Sequence, residues 1–410
     1  MHLNAHLDID LVALESEDEV TALFELVAPP MPAAEPRAAA TVQVVLDRSG
    51  SMRGDRLDAA LGALSALVDR LSPADAFGLV TFDTEVEVVV PAGPLTDKAA
   101  VKQAIAGVVS GGMTNLSAGL MRGLQEARRA AGPGGATLLL LSDGRANEGI
   151  VDPDRLAGLA AGAHRERVTT STIGIGLDYD ELLLAAVAGG GQGGHAFAPD
   201  GDAAGAVVAG EVGGLLSKTV QAASLVVRPE ASVESVTVWH DLPTNPISEG
   251  LMIELGDLWA GEARKLVLSF AVPAKVALGL ACIATVELRY VAVPELTEHT
   301  ISTELHVNVV PGDQAAGRIP DPVVREELLF QKTQEAKRRA ADAMSHGDLD
   351  GARAFLDTAG AALAAAPQSA ELAEESQILA SLRVDADHDA RLAAKRARME
   401  HSRKNRKRGR

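Results

Sequence analysis

Cysteine and aromatic residues are scarce in this chain. Cys282 is the only cysteine among 410 residues, so no disulfide can form within the chain, and this favours a reducing compartment. Aromatic residues make up 3% of the sequence. This low content argues against a site that binds sugars or nucleic-acid bases by stacking.

Long apolar runs are also missing. No run approaches the roughly 20 residues that a membrane-spanning helix needs. Residues 1–20 contain neither a basic start nor an unbroken apolar segment, so we do not expect a secretory signal there. Together with the single cysteine, these features predict a cytoplasmic protein that does not enter a membrane.

Positive charge is in deficit. Lys and Arg total 38 against 56 Asp and Glu, which gives a formal charge of −18 and argues against a general phosphate-binding surface. Residues 391–410 differ, with ten Lys or Arg and one Glu. We interpret this end as a disordered basic tail. Three roles stay open for it, namely solubility, a weak and salt-sensitive contact with nucleic acid, or contact with an acidic protein surface.

The middle of the chain has the pattern of an α/β domain. Apolar strands such as TVQVVL, AFGLVTF, ATLLLLS and VTTSTIGIG alternate with stretches of helical periodicity. Continuous apolar strands separated by helices indicate a mostly parallel, doubly wound, Rossmann-like sheet with both faces buried. The predicted helical stretches are 55–71, 97–109, 115–130, 152–166, 179–188 and 203–219.

The flanking segments have different patterns. Alternating strands precede and follow the α/β region, so we expect an antiparallel β-sandwich with the α/β domain inserted between its strands. From residue 321 onwards, helical periodicity dominates the sequence. The predicted divisions are 1–38, strands of the sandwich; 41–220, the α/β domain; 221–312, the rest of the sandwich; 321–383, a helical region; and 384–410, the disordered tail.

Oxygen-bearing residues follow the strands of the predicted sheet. Asp47 directly follows TVQVVL, with Ser49 and Ser51 two and four residues later; Thr114 precedes a helix; and Asp143 directly follows ATLLLLS. The carboxyl ends of parallel strands form the edge at which open α/β sheets bind ligands. Carboxylate and hydroxyl oxygens suit a hard divalent cation. Mg²⁺ is favoured, with Mn²⁺ and Ca²⁺ as alternatives.

The combination of D-x-S-x-S, an isolated Thr and a strand-ending S-D-G resembles the metal-ion-dependent adhesion site of von Willebrand factor A domains, of the type found in bacterial proteins. All five positions match, and the resemblance covers about residues 41–220. It implies that Ser49, Ser51 and Thr114 contact the metal directly, while Asp47 and Asp143 act mostly through water. It also implies that a Glu or Asp of a partner protein completes the coordination shell.

Competing interpretations remain open at this point. Asp47 and Ser49 could serve only as helix caps, although Asp55 is the better cap candidate for the following helix. A metal-dependent hydrolase is disfavoured, because Ser49 stands where such enzymes need a second acid and the three loops contain no Lys or His. A non-enzymatic binding module is therefore expected. An adaptor for a separate AAA-type ATPase is the alternative.

Overall fold

The computed structural model defines two groups of strands and an extensive set of helices. It describes residues 1–14, 16–31, 39–143, 146–176, 179–198, 207–208, 210, 217–274, 278–367, 369–388, 390, 393–394, 396–398 and 400–401. The first strands are β1 (His2–Leu7), β2 (Leu11–Ala13), β3 (Asp18–Val27), β4 (Thr41–Asp47), β5 (Ala76–Phe82), β6 (Val86–Pro94), β7 (Ala136–Ser142), β8 (Val168–Ile175) and β9 (Gln192–Ala198). The later ones are β10 (Lys218–Pro229), β11 (Ser235–Val238), β12 (Thr244–Ile247), β13 (Gly250–Trp259), β14 (Ala263–Val272), β15 (Gly279–Ala292) and β16 (Thr297–Val310).

The helices whose bounds the structure defines fall into two stretches of the chain. Those between β4 and β9 are α1 (Asp55–Arg70), α2 (Lys98–Ala106), α3 (Leu116–Ala130), α4 (Pro153–Arg165) and α5 (Glu181–Gly190). Those after β16 are α6 (Gly312–Ala315), α7 (Pro322–Ser345), α8 (Leu349–Ala365) and α9 (Ala370–His388). Among the described residues, no helix is both long enough and apolar enough to span a bilayer.

The sheet of the α/β region has the order β6-β5-β4-β7-β8-β9, and only the edge strand β6 is antiparallel to its neighbour. The chain moves from β4 outwards to β5 and β6, then returns to β7 on the other side of β4. The strand order therefore reverses between β4 and β7. Such a reversal leaves a crevice at the carboxyl ends of the two strands, where ligands of this class of fold bind.

Helices cover both faces of this sheet. Alternate residues of β4 point to opposite sides: Val44 packs with α1 and α2, whereas Val45 packs with α3, α4 and α5. Burial on both faces explains why β4 and β7 are fully buried along their lengths. The doubly wound, mostly parallel sheet expected from the sequence is confirmed.

Two further sheets form a β-sandwich. Their strand orders are β1-β3-β14-β11 and β12-β13-β10-β15-β16-β2. Phe24 of β3, Phe270 of β14, Val227 of β10 and Val286 of β15 share one buried core between the sheets. Because β3 pairs with β14 along its length, strands from before and after the α/β region lie side by side. The domain boundaries themselves stay predictions.

The helical region packs against the outer face of the sandwich. Leu23 and Val267 point away from the sandwich core and contact Val324 of α7. The helices α7, α8 and α9 share a separate core of alanine and leucine side chains with Phe330. This arrangement explains why β3 and β14 are buried on both faces.

The expected disorder from residue 384 onwards is wrong for the described part of that segment. Helix α9 extends to His388, and the alanines 393, 394 and 397 are buried in the helical core. Arg396 forms an ion pair with Asp385, and Arg398 forms one with Asp342. The basic side chains thus find carboxylates within the chain, and the alanines supply an apolar face. Residues 402–410 and most of the predicted helix 203–219 lie outside the described residues.

Candidate metal centre

The loop after β4 brings the first carboxylate and two hydroxyls together. Asp47 is fully buried, and its Oδ1 accepts a hydrogen bond from the backbone N–H of Ser49 at 2.8 Å. A short 3-10 turn, Gly50–Met52, then places the hydroxyl of Ser51 3.1 Å from that of Ser49. The two serines of the motif therefore face each other.

The end of β7 adds a second carboxylate. Ser51 Oγ donates to Asp143 Oδ1 at 2.8 Å, and Ser142 Oγ donates to Asp47 Oδ2 at 2.6 Å. Asp143 and Ser142 are buried like Asp47. Adjacent strands at the reversal of strand order thus contribute two carboxylates to one hydrogen-bonded cluster.

Thr114 is brought to the same edge through the backbone of the loop between α2 and α3. Gly50 N–H donates to the carbonyl of Gly112 at 3.0 Å, which joins this loop to the loop after β4. Thr114 N–H donates to Asn147 Oδ1 at 3.0 Å, which joins it to the loop after β7. With Ser51 bonded to Asp143, the three loops are joined pairwise. Thr114 itself is buried.

A close approach of α3 to the sheet holds Thr114 in position. Asn115 caps α3 by accepting from Ala118 N–H at 3.1 Å. A Cβ added at Gly123 would lie 2.1 Å from Val45 Cγ2, and one at Gly119 would lie 2.5 Å from Phe82. Only glycine allows the helix, and with it the loop that carries Thr114, to come this near to β4 and β5.

Arg56 supplies a cation within the cluster. Its Nη1 lies 2.7 Å from Oδ2 of Asp143. Helix α1 positions it, although the N-cap of α1 is Gly54 and Asp55 is the first helical residue. The expectation that Asp55 caps this helix is therefore wrong. Gly54 occupies the cap with a φ of 83°, a conformation that favours glycine.

Burial raises the pKa of Asp47 to about 6, with a smaller contribution from the negative charge of Asp143, against hydrogen bonds from Ser142 and Ser49 that lower it. A raised pKa shows that the ionised carboxylate lacks full compensation in this buried place. A nearby cation would supply that compensation. The donor atoms are hard carboxylate and hydroxyl oxygens, so the residues present fit a divalent cation such as Mg²⁺.

The described residues contain no cluster of three or more His, Cys, Asp or Glu side chains arranged to hold a metal. This does not conflict with the site, because three of its five predicted ligands are Ser or Thr. The structure joins the side chains of Asp47, Ser49, Ser51 and Asp143, and it brings Thr114 to them through the backbone.

Sequence reasoning missed several residues that organise this edge. Ser142 holds Asp47, Arg56 pairs with Asp143, and Asn147 holds Thr114. Asp83 accepts from Gly112 N–H at 3.2 Å and lies 3.2 Å from Arg48. The position of Ser142 and Asp83 at strand ends was an available signal. Arg56 had none, because its contact depends on how α1 is oriented over the sheet.

A reversed α/β sheet with oxygen ligands at its carboxyl edge defines a class of ligand-binding domains. Residues 42–204 match the von Willebrand factor type A domain. The chain therefore contains a von Willebrand factor type A domain over these residues, and domains of this type generally mediate interactions between proteins.

A relative from Synechocystis sp. extends the similarity beyond this domain. An uncharacterized protein of Synechocystis sp. is 28% identical over 327 residues, which cover 77% of this chain and 76% of that protein. The uncharacterized protein YfbK of Escherichia coli is 32% identical over 162 residues, but these cover 39% of this chain and only 28% of that protein.

Two solved structures share the whole arrangement. A von Willebrand factor type A protein from Catenulispora acidiphila has a TM-score of 0.69 at 19% identity and covers 92% of this chain and 88% of its own. The ArnB paralog VWA2 from Sulfolobus acidocaldarius has a TM-score of 0.63 at 16% identity, covering 98% and 97%. At these identities the likeness establishes the fold, including the extra sheets and the helices.

Proposed function

We propose that the carboxyl edge of the α/β sheet holds a divalent cation, Mg²⁺ before Mn²⁺ or Ca²⁺, and through it binds a Glu or Asp of a partner protein. The observation that carries this proposal is the hydrogen-bonded cluster in which Asp47, Ser49, Ser51 and Asp143 meet at the reversal of strand order. Its two carboxylates are fully buried. Arg56 compensates the charge of Asp143, and a cation at this site would compensate that of Asp47, whose burial is otherwise costly.

The residues divide into two roles. The hydroxyls of Ser49, Ser51 and Thr114 would contact the cation directly. Asp47 and Asp143 would orient these hydroxyls and supply negative charge, mostly through intervening water. The bound cation would supply an electrophilic position for a carboxylate oxygen. Neutral hydroxyl ligands leave much of the ion's double charge available to that carboxylate.

Formal charges support attraction of an anion. Asp47 and Asp143 contribute two negative charges and Arg56 one positive charge, so the cluster alone carries one net negative charge. A divalent cation changes this to one net positive charge. The site would then be positive within a chain whose formal charge is −18.

We propose binding rather than catalysis as the role of this site. Ser49 occupies the position at which a hydrolase of this layout needs a second acid, and the three loops contain no Lys or His to act as a base. A single cysteine, Cys282, supports a cytoplasmic location, because the chain needs no oxidising compartment.

Metal-dependent thermal stability tests the proposal. In protein freed of metal by EDTA and dialysis, adding Mg²⁺ is expected to raise the melting temperature, because the cation binds the folded state alone. Asp47→Asn and Thr114→Val should remove this rise. Asp69→Asn is the control, because Asp69 is exposed near the far end of α1 and pairs with Lys102. An unchanged melting temperature over millimolar Mg²⁺ and Mn²⁺ would refute the metal site.

A further inference from the structure

An exposed arginine, Arg53, lies beside the candidate metal centre. Arg53 follows Ser51 by two residues, and its Nε lies 3.5 Å from Ser110 Oγ on the loop that also carries Thr114. Among the described residues, Arg53 forms no ion pair. The two neighbouring arginines are both engaged, Arg48 with Asp83 and Glu87, and Arg56 with Asp143.

The same loop exposes two large apolar side chains. Val109 is 70% exposed and Met113 is 52% exposed, on either side of Ser110, Gly111 and Gly112. Met113 directly precedes Thr114, and its N–H donates to Thr84 Oγ1 at 2.9 Å. The loop thus runs from Arg53 at one side of the site to the turn between β5 and β6 at the other.

Charge is unequally distributed around the site. Three acids, Asp83, Glu85 and Glu87, lie in or beside the turn between β5 and β6 with one arginine, Arg48, which pairs with Asp83 and Glu87. Arg53 forms no ion pair among the described residues. A negatively charged ligand is therefore disfavoured near this turn, which keeps a net negative charge, and favoured near Arg53. Charge complementarity of this kind sets the orientation and partner choice of a ligand more than its total affinity.

We propose that Arg53, Val109 and Met113 form a binding surface for an acidic segment of a partner protein that contains two carboxylates with an apolar residue between them. This proposal rests on the proposed function, since one carboxylate would be bound at the metal. The second carboxylate pairs with Arg53. The apolar residue packs on Val109 and Met113, where it removes apolar surface from water.

Three synthetic peptides test this surface on the full-length protein. The sequences are Gly-Gly-Glu-Leu-Glu-Gly-Gly, Gly-Gly-Glu-Leu-Gln-Gly-Gly and Gly-Gly-Glu-Gly-Gln-Gly-Gly, each with blocked ends. Affinities are measured by titration calorimetry or NMR in Mg²⁺ and in EDTA. We expect the two-glutamate peptide to bind about 1.4- to fivefold more tightly than its glutamine analogue, since an exposed ion pair is worth about 0.2–1 kcal/mol.

Charge reversal separates this surface from the metal site. Arg53→Glu should remove the preference for the second glutamate while leaving metal-dependent binding of the other peptides in place. Arg165→Glu is the matched control, because Arg165 is exposed at the opposite end of the domain, just before β8. Met113→Ser should remove the preference for leucine over glycine.

Each outcome decides one question. Equal Mg²⁺-dependent affinity for the three peptides, or a glutamate preference that persists in Arg53→Glu, would overturn the binding surface and leave the proposed function standing. Equal binding in Mg²⁺ and EDTA would overturn the proposed function. Absence of binding by every peptide would overturn the binding surface, while the thermal test with Mg²⁺ alone still decides the metal site.

Discussion

Arg56 and Asp143 form an ion pair inside the candidate metal centre, with 2.7 Å between Nη1 and Oδ2. The side chain of Asp143 is fully buried, whereas that of Arg56 is 34% exposed. A Cβ added at Gly176 would lie 3.1 Å from Cζ of Arg56, so the guanidinium rests against the end of β8. The buried carboxylate therefore has its own countercharge, which opposes the entry of a second cation.

Replacing Arg56 by methionine is expected to raise the affinity for Mg²⁺ by about threefold or more, because it removes a competing positive charge from a partly screened pair. The same change should weaken binding of the single-glutamate peptide in Mg²⁺, since the loaded site loses its net positive charge. Both affinities can be measured by titration calorimetry.

Arg56→Lys is the control, because it keeps the charge while losing the planar fork of the guanidinium. It should alter both affinities much less than Arg56→Met. If Arg56→Met instead weakens Mg²⁺ binding while Arg56→Lys does not, the arginine would serve to orient Asp143 rather than to oppose the cation.

The arrangement of the metal-site loops was largely predictable from local sequence. Asp47 ends an apolar strand and Asp143 directly follows another, and neighbouring parallel strands bring their carboxyl ends together. The positions of Arg56 and Asn147 were not predictable in this way. Their contacts depend on the angle of α1 over the sheet and on the path of the loop after β7, which no short-range pattern encodes.

The predicted disorder of the C-terminal segment was wrong for its described part, although the local charge pattern favoured it. Ten basic residues near the end indicated repulsion and disorder, yet Arg396 and Arg398 pair with Asp385 and Asp342. These acids lie earlier in the helical region, so the neutralisation becomes visible only once the helices are packed. Charge counted along a sequence window omits carboxylates that the fold brings in from elsewhere.

The segment between β16 and α7 is anchored by Arg318 and Asp18. Arg318 Nη1 lies 3.0 Å from Asp18 Oδ2 and donates to the carbonyl of Leu11 at 3.0 Å, and its Nη2 also pairs with Asp18. Burial tends to raise the pKa of Asp18, but hydrogen bonds from Arg318 and Ala13 and the charge of Arg318 hold it below the usual value.

Arg318→Ala should lower the free energy of unfolding by about 1–3 kcal/mol at neutral pH, the range for a hydrogen bond to a charged group. A lowered pKa means that the unfolded state binds the proton more readily, so this stabilisation is present above the ordinary pKa of aspartate and is lost as pH falls through the folded value. The difference between wild type and Arg318→Ala should therefore shrink below about pH 4.

Urea unfolding between neutral and acidic pH checks this expectation. Asp18→Asn should cost a similar amount and the double variant little more, because both changes remove the same pair. Arg165→Ala, at an exposed site, should leave stability unchanged. A difference for Arg318→Ala that stays constant from pH 7 to pH 3 would contradict the assigned ion pair.

A buried ion pair joins α7 and α9. Lys337 Nζ pairs with Glu375 Oε2, both side chains are fully buried, and Gln334 Nε2 donates to the same oxygen at 3.0 Å. Lys337→Met is expected to destabilise the protein by about 3–5 kcal/mol, because it leaves a buried carboxylate without its cation.

Denaturant unfolding of the single and double variants separates charge from packing. Lys337→Met combined with Glu375→Leu should recover most of the loss, since an apolar pair of similar size carries no desolvation cost. A double variant no more stable than Lys337→Met alone would show that the pair contributes through shape or through Gln334 rather than through charge compensation.

Gly123 sets the distance between α3 and β4, and with it the place of Thr114. In Gly123→Ala the new methyl group meets Val45 Cγ2 at 2.1 Å, so we expect a destabilisation of about 1–3 kcal/mol from overpacking and a weaker Mg²⁺-dependent rise in melting temperature. Val45→Ala in the same chain should restore part of both.

Gly62→Ala in α1 is the matched control. No atom lies within 4 Å of its added Cβ, so it should stabilise the helix by about 0.5–1 kcal/mol and leave metal binding unchanged. If Gly123→Ala lowers stability but the response to Mg²⁺ stays intact, the close packing of α3 supports the fold without determining the position of Thr114.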